Sequence, residues 1–272
     1  MGQRKVLLWG GKCYNIYTAP LGKTVIKNPL IKKKAYADDN SLYTAFTIND
    51  NSDLSYAVST LESCLVDVKN WMRENMLKLN DDKTKLIVFA PKKYCQQFNS
   101  VSIKCGPFTI RPTHLVKSLG VLLDSALTME KHINKKTRSA YLQIRNIWVI
   151  RKSYLTESAT RSLVSALVTP NIDYCNGLLA GLPLYLLRKL QRVQNASARL
   201  IKRTKKRSHI TPVLKQLHWL PVTFRIKFKI MLATFKSVHG LAPSYITCLL
   251  PQFRKTRYDQ LKFCIPRYNL RN

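Results

Sequence analysis

Two adjacent carboxylates near the start of the chain constrain what it can fold into more than any other feature. Asp38 and Asp39 end the string Tyr36–Asp39, which is followed by the β-forming run Ser41–Thr44. Asp is a favoured turn residue, so this pattern predicts a hairpin with both acids at its tip. Such a tip suits Mg²⁺, which takes one or two carboxylates together with substrate phosphates. Two solvated turn acids that bind no ion are the alternative.

The position of the other acids limits this site. Two divalent ions held about 3.5–4 Å apart need a second carboxylate arm from another strand. No Asp or Glu precedes Asp38 in the chain. Asp81 and Asp82 follow a long predicted helix instead of preceding the turn, so they are poor substitutes. We therefore expect that this chain supplies only one of the two carboxylate groups that such a two-ion site needs.

The charge balance points to a polyanionic partner. The chain has 46 Lys and Arg against 14 Asp and Glu, a net charge of +32, and its hydrophobic fraction of 46% is that of a folded protein. Such an excess of cations repels itself unless an anion is near, and nucleic acid is the usual anion. Beyond Glu130 the acids are Glu157, Asp173 and Asp259. The second half is therefore the stronger candidate for the binding surface, and a basic surface without a partner is the alternative.

Cysteine usage and the N-terminus indicate an intracellular protein. The seven cysteines are odd in number and form no Cys-x-x-Cys pair, which disfavours a zinc site and predicts free thiols in a reducing compartment. The apolar run Val6–Trp9 is too short for a signal peptide or a membrane span. We expect a nuclear or cytoplasmic location and no membrane partner.

Hydrophobic periodicity predicts an α+β protein with three parts. Residues 1–35 form a degenerate segment, because Lys32–Lys34 disfavour a strand leading into a buried corner. Residues 36–125 are mixed, with a helix over Asp53–Lys78 and strands over Thr84–Phe89, Val101–Lys104, Phe108–Arg111 and Ser118–Asp124. Residues 126–272 form a basic helical region, with helices over Met129–Ile150, Glu157–Val168, Leu184–Lys202 and Pro221–His239.

Several longer strings resemble one family. The helix end Trp71–Asn80, the segment Asn80–Lys85 and the Leu-Gly pair in Lys117–Val121 accompany the Tyr36–Asp39 turn. Further strings are Asn15–Gly22, Ala140–Arg145, Asp173–Asn176, Leu190–Asn195 and Leu217–Val222. Taken together, they resemble the reverse transcriptases of non-LTR retrotransposons, in particular the jockey-like LINE group, over roughly residues 15–271.

The resemblance implies a role for each matching residue. The family consists of RNA-directed DNA polymerases, which are nucleotidyltransferases with a palm and a thumb, and residues 36–125 resemble part of the palm. Asp38 would be the main Mg²⁺ ligand and Asp39 its supporting acid. Tyr36 would lie against the primer end, and Lys83 near the nucleotide triphosphate. Leu119 and Gly120 would belong to the strand that holds the primer.

The helical half resembles the thumb and the region beyond it. In the family this part grips the RNA template or the RNA–DNA hybrid by its phosphates. The cations implied here are Arg188, Arg192, Arg199, Lys202 and Arg203, followed by Lys205–Arg207. A solvated helix face is the alternative for such a run of charges.

Departures from the family pattern limit the expected activity. The fingers, the first palm motif with its metal-binding Asp and the Pro-Gln-Gly nucleotide-pocket motif have no match in this sequence. We expect a truncated and catalytically incompetent remnant of the polymerase. A nucleic-acid-binding module without chemistry and a non-functional pseudogene product are the alternatives.

Overall fold

The structure is a computed structural model that describes residues 14–37, 39–80, 83–106, 108–151 and 153–249, together with the backbone of 253–255 and 261–263. The chain divides into two compact units, Met1–Met129 and Glu130–Asn272. Helices and small antiparallel sheets are combined in this chain, which is consistent with the predicted α+β class.

The first unit combines α-helices with two-stranded antiparallel ribbons. Its elements are α1 (Leu21–Ile26), β1 (Lys32–Tyr36), β2 (Asp39–Tyr43), α2 (Asn51–Glu74), a 3₁₀ helix (Cys95–Ser100), β3 (Ile103–Cys105), β4 (Phe108–Ile110), β5 (Leu115–Ser118) and β6 (Val121–Asp124). Each strand pairs only with its neighbour in sequence among the described residues, so β1–β2, β3–β4 and β5–β6 are separate antiparallel ribbons. A single palm-like sheet is therefore not formed by the described part of the unit.

The core of the first unit lies between α1 and α2. The buried residues are Leu21, Val25, Ile31, Cys64 and Val68. Leu42, Leu61, Trp71 and Met72 pack against them. Leu42 belongs to β2, so this cluster also anchors the β1–β2 hairpin to the long helix. Apolar burial of this kind contributes about 25 cal/mol per Å² of surface removed from water.

The long helix α2 begins slightly earlier than predicted. Its N-cap is Asp50, whose carboxylate Oδ1 accepts the backbone N–H of Ser52 at 2.9 Å and of Asp53 at 3.1 Å. These bonds satisfy two amides that have no partner inside the helix. The hydroxyl of Ser52, which also donates to Oδ1, is the main cause that lowers the pKa of Asp50, and the two backbone bonds lower it further. The predicted start at Asp53 is therefore two residues late and the predicted end at Lys78 four residues late, while the helix itself is confirmed.

Two of the predicted strands are corrected by the structure. Thr84–Phe89 is irregular apart from a single bridge between Leu86 and Pro112, since Pro112 has no N–H with which to extend a ladder. Ser118–Asp124 is not one strand, because Leu119 and Gly120 have positive φ values of 44° and 83° and turn the chain between β5 and β6. Two consecutive positive φ angles are typical of a type I′ hairpin turn.

The three lysines before the Asp-Asp turn do not prevent a strand. Lys32–Lys34 lie in β1, where Lys33 stands opposite Leu42. The expectation that they disfavour a strand is wrong because the ribbon is largely solvent-exposed, so the ammonium groups keep their hydration. Only Lys33 is half-buried among them, and partial burial lowers its pKa.

The second unit is helical, as predicted. Its elements are α3 (Glu130–Arg151), α4 (Glu157–Leu167), α5 (Thr169–Asp173), a 3₁₀ helix (Asn176–Leu179), α6 (Leu184–Lys202), α7 (Thr211–Gln216), α8 (Val222–Val238), α9 (Ser244–Thr247), β7 (Phe253–Lys255) and β8 (Leu261–Phe263). The bounds of α6 are those predicted from its periodicity. Gly240, two residues past the end of α8, has a φ of 67°, a left-handed conformation that favours glycine after a helix C-terminus.

The core of the second unit collects around α6. Its fully buried side chains include Ile133, Val164, Leu186, Leu190, Val193 and Ile201. The four that come from α6 are spaced by three to eight residues on one face of the helix. Among the described residues, no helix is both long enough and apolar enough to cross a membrane.

Candidate nucleic-acid interface

The β1–β2 hairpin forms the corner that the sequence predicted. Its strands pair from Lys32 opposite Tyr43 to Tyr36 opposite Asp39, and Ala37 follows β1 with a φ of 52°. Tyr36 is 69% exposed, and Asp39 is also exposed. Asp38 lies outside the described residues. The hairpin thus places a tyrosine ring and a carboxylate together at its exposed end.

The metal-ligating side chains among the described residues do not fit a site for two divalent ions. Within the described ranges, no group of three or more His, Cys, Asp or Glu side chains could hold a metal ion. Asp39 is an exposed acid at the end of a ribbon whose other strand carries Lys32–Lys34. Asp38, Asp81 and Asp82 lie outside the described residues. One exposed carboxylate does not supply the clamp that a pair of divalent ions needs.

The other residues to which the resemblance assigns palm roles lie in turns. Lys83 is exposed, and its backbone N–H donates to the side-chain Oδ1 of Asn80 at 3.1 Å. The hydroxyl of Thr84 donates to the carbonyl of Asn80 at 2.8 Å, so Asn80 organises the turn that presents Lys83. Leu119 and Gly120 form the exposed tip of the β5–β6 hairpin instead of the middle of a strand.

The carboxylates of the second unit link its helices. The described residues from 130 onward contain three acids, and each lies in an ion pair with a cation of another helix. The pairs are Glu130 with Lys189 (3.4 Å), Glu157 with Lys202 (2.6 Å) and Asp173 with Arg225. They connect α3 to α6, α4 to α6 and α5 to α8. The hydrogen bond from Lys202 is the main cause that lowers the pKa of Glu157.

Most of the positive charge therefore has no carboxylate beside it. Residues 130–272 carry 28 Lys and Arg against 4 Asp and Glu, a net of +24, whereas residues 1–129 carry 18 against 10, a net of +8. Because the described acids of the second unit are already engaged in ion pairs, they cannot neutralise the other cations. The second unit is the main polyanion-attracting part of the chain.

The predicted phosphate-binding cations of α6 fall into two groups. Arg188 and Arg192 are exposed and lie one turn apart on the same face. The side chains near the end of the helix instead contact protein. Arg199 donates to the carbonyl of Ser208 at 3.3 Å, Arg203 donates to that of Arg151 at 3.2 Å, and Lys202 is paired with Glu157.

A buried arginine that the sequence did not reveal holds the end of α6. Arg151 is 6% exposed, and its guanidinium donates to the carbonyls of Leu155 (2.6 Å), Leu200 (3.3 Å) and Ile201 (2.7 Å). The carbonyls at a helix C-terminus have no partner inside the helix and carry partial negative charge, so a cation is favourable there. The only sequence signal was an arginine in the last turn of α3, and its two partners in α6 are about fifty residues away.

Two of the segments that resemble the reverse-transcriptase family are joined to each other by hydrogen bonds from glutamine side chains. In Leu190–Asn195, the side-chain oxygen of Gln191 accepts the N–H of Val222 at 2.8 Å. The amide of Gln194, which is 1% exposed, donates to the carbonyl of Leu220 at 2.8 Å. Leu220 and Val222 belong to the string Leu217–Val222. These strings therefore fix α8 against α6, which is a structural role.

The chain is similar to a transposon polymerase. The probable RNA-directed DNA polymerase from transposon BS of Drosophila melanogaster is 28% identical over 168 residues, which is 59% of this chain and 18% of that relative. The chain thus matches about a fifth of the relative's length. No family model matches the chain, and no solved structure matches it significantly. The similarity supports a reverse transcriptase-like, retrotransposon origin, as the sequence motifs predicted.

Replacing Arg151 with Ala is expected to destabilise the protein strongly. The change leaves buried carbonyls at the end of α6 without a donor, and hydrogen bonds to a charged group contribute about 1.5–3 kcal/mol each. We expect the free energy of unfolding to fall by about 3 kcal/mol, measured by urea denaturation followed by circular dichroism. Arg145→Ala, an exposed position on the same helix, is the matched control and should change it by less than about 0.5 kcal/mol. Equal effects of the two substitutions would contradict the bracing role of Arg151.

Proposed function

We propose that this chain is the nucleic-acid-binding remnant of a retrotransposon reverse transcriptase. Residues 36–125 derive from the palm and residues 126–272 from the thumb and the region beyond it. The chain binds RNA templates and RNA–DNA hybrids by their phosphates and does not extend a primer when acting alone. The observation that carries this proposal is the charge of the second unit, +24, with its described acids engaged in ion pairs between helices.

The exposed face of α6 is the proposed phosphate surface. Arg188 and Arg192 are four residues apart, which is about 6 Å along the helix axis. A guanidinium presents several donors in a planar fork that matches phosphate oxygens. The cations near the end of the helix already contact protein groups: Arg199, Lys202 and Arg203. They stabilise the helix end and add to the positive electrostatic potential, whereas direct contacts with phosphates are left to Arg188 and Arg192.

The palm roles belong to the same proposal. Asp38 and Asp39 would hold Mg²⁺, Tyr36 would lie beside the primer end and Lys83 beside the triphosphate. The exposure of Tyr36 and Asp39 at one end of a hairpin supports this arrangement. Since residues 1–37 contain no acid, this ion site has one arm and would bind Mg²⁺ weakly. Leu119 and Gly120 would contact the primer as a turn.

Binding to an RNA–DNA hybrid should depend steeply on salt. Each phosphate contact adds about 0.9 to the slope of log affinity against log salt for B-form DNA, and we expect a similar contribution here. Arg188→Gln with Arg192→Gln should therefore lower the slope by about 2, measured by fluorescence anisotropy of a labelled 16-base-pair hybrid between 50 and 300 mM salt. Lys92→Gln with Lys93→Gln removes the same charge from exposed sites of the first unit and should change the slope by less than about 0.5. Equal slopes for the two double variants would contradict a specific role for α6.

Primer extension separates a remnant from a competent enzyme. The 272-residue polypeptide should incorporate no deoxynucleotide on a primed homopolymer RNA template, with either Mg²⁺ or Mn²⁺, above the level of the Asp38→Asn variant. An active reverse transcriptase in the same assay verifies the template. Metal-dependent incorporation that disappears in Asp38→Asn would show a working ion site and contradict the incompetence proposed here.

A further inference from the structure

Helix α8 has apolar side chains on two opposite sides. Its inner side is buried, with Val222 at 1% and Ile226 at 3% exposure. The outer face of α8 consists of Phe224 (55% exposed), Phe228 (54%), Met231 (69%) and Phe235 (55%). These four follow one another at spacings of four, three and four residues, so they form one stripe. At 100° per residue the stripe points away from the buried side.

A cation borders this stripe on one side. Lys227 lies on that edge, with its Nζ 5.8 Å from the centroid of the Phe224 ring. Lys229 and Lys236 are exposed as well, but at 100° per residue they lie further around the helix, towards its buried side. The sequence of α8 contains no Asp or Glu. Four large exposed apolar side chains on one face mark a contact surface, and the exposed lysines of α8 favour a partner with negative charge.

The charge favours one occupant over the others. A second copy of this chain would bring the same excess of positive charge to the contact and be repelled. Single-stranded nucleic acid offers both complements, because its bases stack on aromatic rings while its phosphates meet Lys and Arg. In a duplex the base faces are covered by neighbouring bases, so a duplex gains little from the phenylalanines.

We propose that the outer face of α8 binds single-stranded nucleic acid, with bases stacked on Phe224, Phe228 and Phe235 and phosphates on Lys227 and the other exposed lysines of this helix. The stripe runs over the twelve residues 224–235, or about 16 Å, which accommodates at most about five nucleotides at a 3.4 Å base spacing. This inference rests on the proposed nucleic-acid-binding function and adds to it a second surface, distinct from the phosphate surface of α6.

A cavity beside the stripe supports the assignment. It has a volume of about 420 Å³, and its lining includes Phe228, Lys229, Trp219 and the ion pair of Arg225 with Asp173. This volume lies within the range of small-ligand pockets. Phe228 and Lys229 belong to both the cavity wall and the surface of α8, so a base that leaves the stack at Phe228 would meet a second aromatic ring, that of Trp219.

The test compares single-stranded with duplex binding. Anisotropy of a labelled twelve-nucleotide oligo(dT) should show at least tenfold weaker binding to Phe224→Ala with Phe228→Ala than to the unmodified chain, since stacking on an aromatic ring is a large part of single-strand affinity. The affinity for the RNA–DNA hybrid should change less than twofold. Trp148→Ala with Tyr154→Ala removes two exposed aromatic rings elsewhere in the second unit and should leave both affinities unchanged within twofold.

A second variant separates stacking from folding. Phe224→Leu with Phe228→Leu keeps the apolar surface, so it should unfold at the same temperature as the unmodified chain and still lose at least fivefold in oligo(dT) affinity. Unchanged oligo(dT) binding by both Phe224/Phe228 variants, with hybrid binding intact, would overturn this inference and leave the proposed function standing. Failure of the unmodified chain to bind either nucleic acid would overturn both. Dimerisation that the alanine variant abolishes would identify the stripe as a self-association surface and also overturn the inference.

Discussion

Scarce carboxylates link the helices of the second unit in ion pairs, and this scarcity determines the charge of its surface. Glu130, Glu157 and Asp173 each join two helices. Exposed ion pairs contribute only about 0–1 kcal/mol each, so the apolar core around α6 supplies most of the stability. What the three acids determine is which cations are neutralised. Most of the remaining lysines and arginines in the described residues have no carboxylate beside them, and mutual repulsion among them is relieved when a polyanion binds.

The polar motifs that resemble a reverse transcriptase act here mainly as braces. Gln191 and Gln194, in the middle of α6, fix the start of α8 to that helix, and Arg151 satisfies carbonyls at the C-terminal end of α6. A helix held in its middle and at its C-terminal end presents its exposed arginines with little freedom, which reduces the entropy lost on binding. The glutamine contacts also orient α8 so that its phenylalanines point outward. One framework thus carries two surfaces of different chemistry, one that suits phosphates and one that suits bases.

Periodicity in the sequence predicted the helices and the Asp-Asp hairpin, because both depend on local spacing and turn chemistry. Thr84–Phe89 failed as a strand because its neighbour, Pro112, cannot extend a ladder, which is visible only once the two segments meet. Leu119 has a positive φ that its own residue type disfavours, so only the following glycine signalled the turn. Arg151 and the division of the α6 cations into paired and exposed groups depend on contacts about fifty residues apart. The stripe on α8 has an ordinary core-like spacing, and only the fold shows that it faces solvent.

Lysine acetylation with and without nucleic acid, followed by mass spectrometry, tests the central claim most directly. In the free protein, Lys189 and Lys202 should react slowly because each is held by a carboxylate, whereas the exposed Lys205, Lys206 and Lys229 should react quickly. Adding a hybrid with a single-stranded overhang should protect the second group at least fivefold and leave the first nearly unchanged. Equal reactivity of the two groups in the free protein, or no protection on binding, would contradict the division of charge on which this account depends.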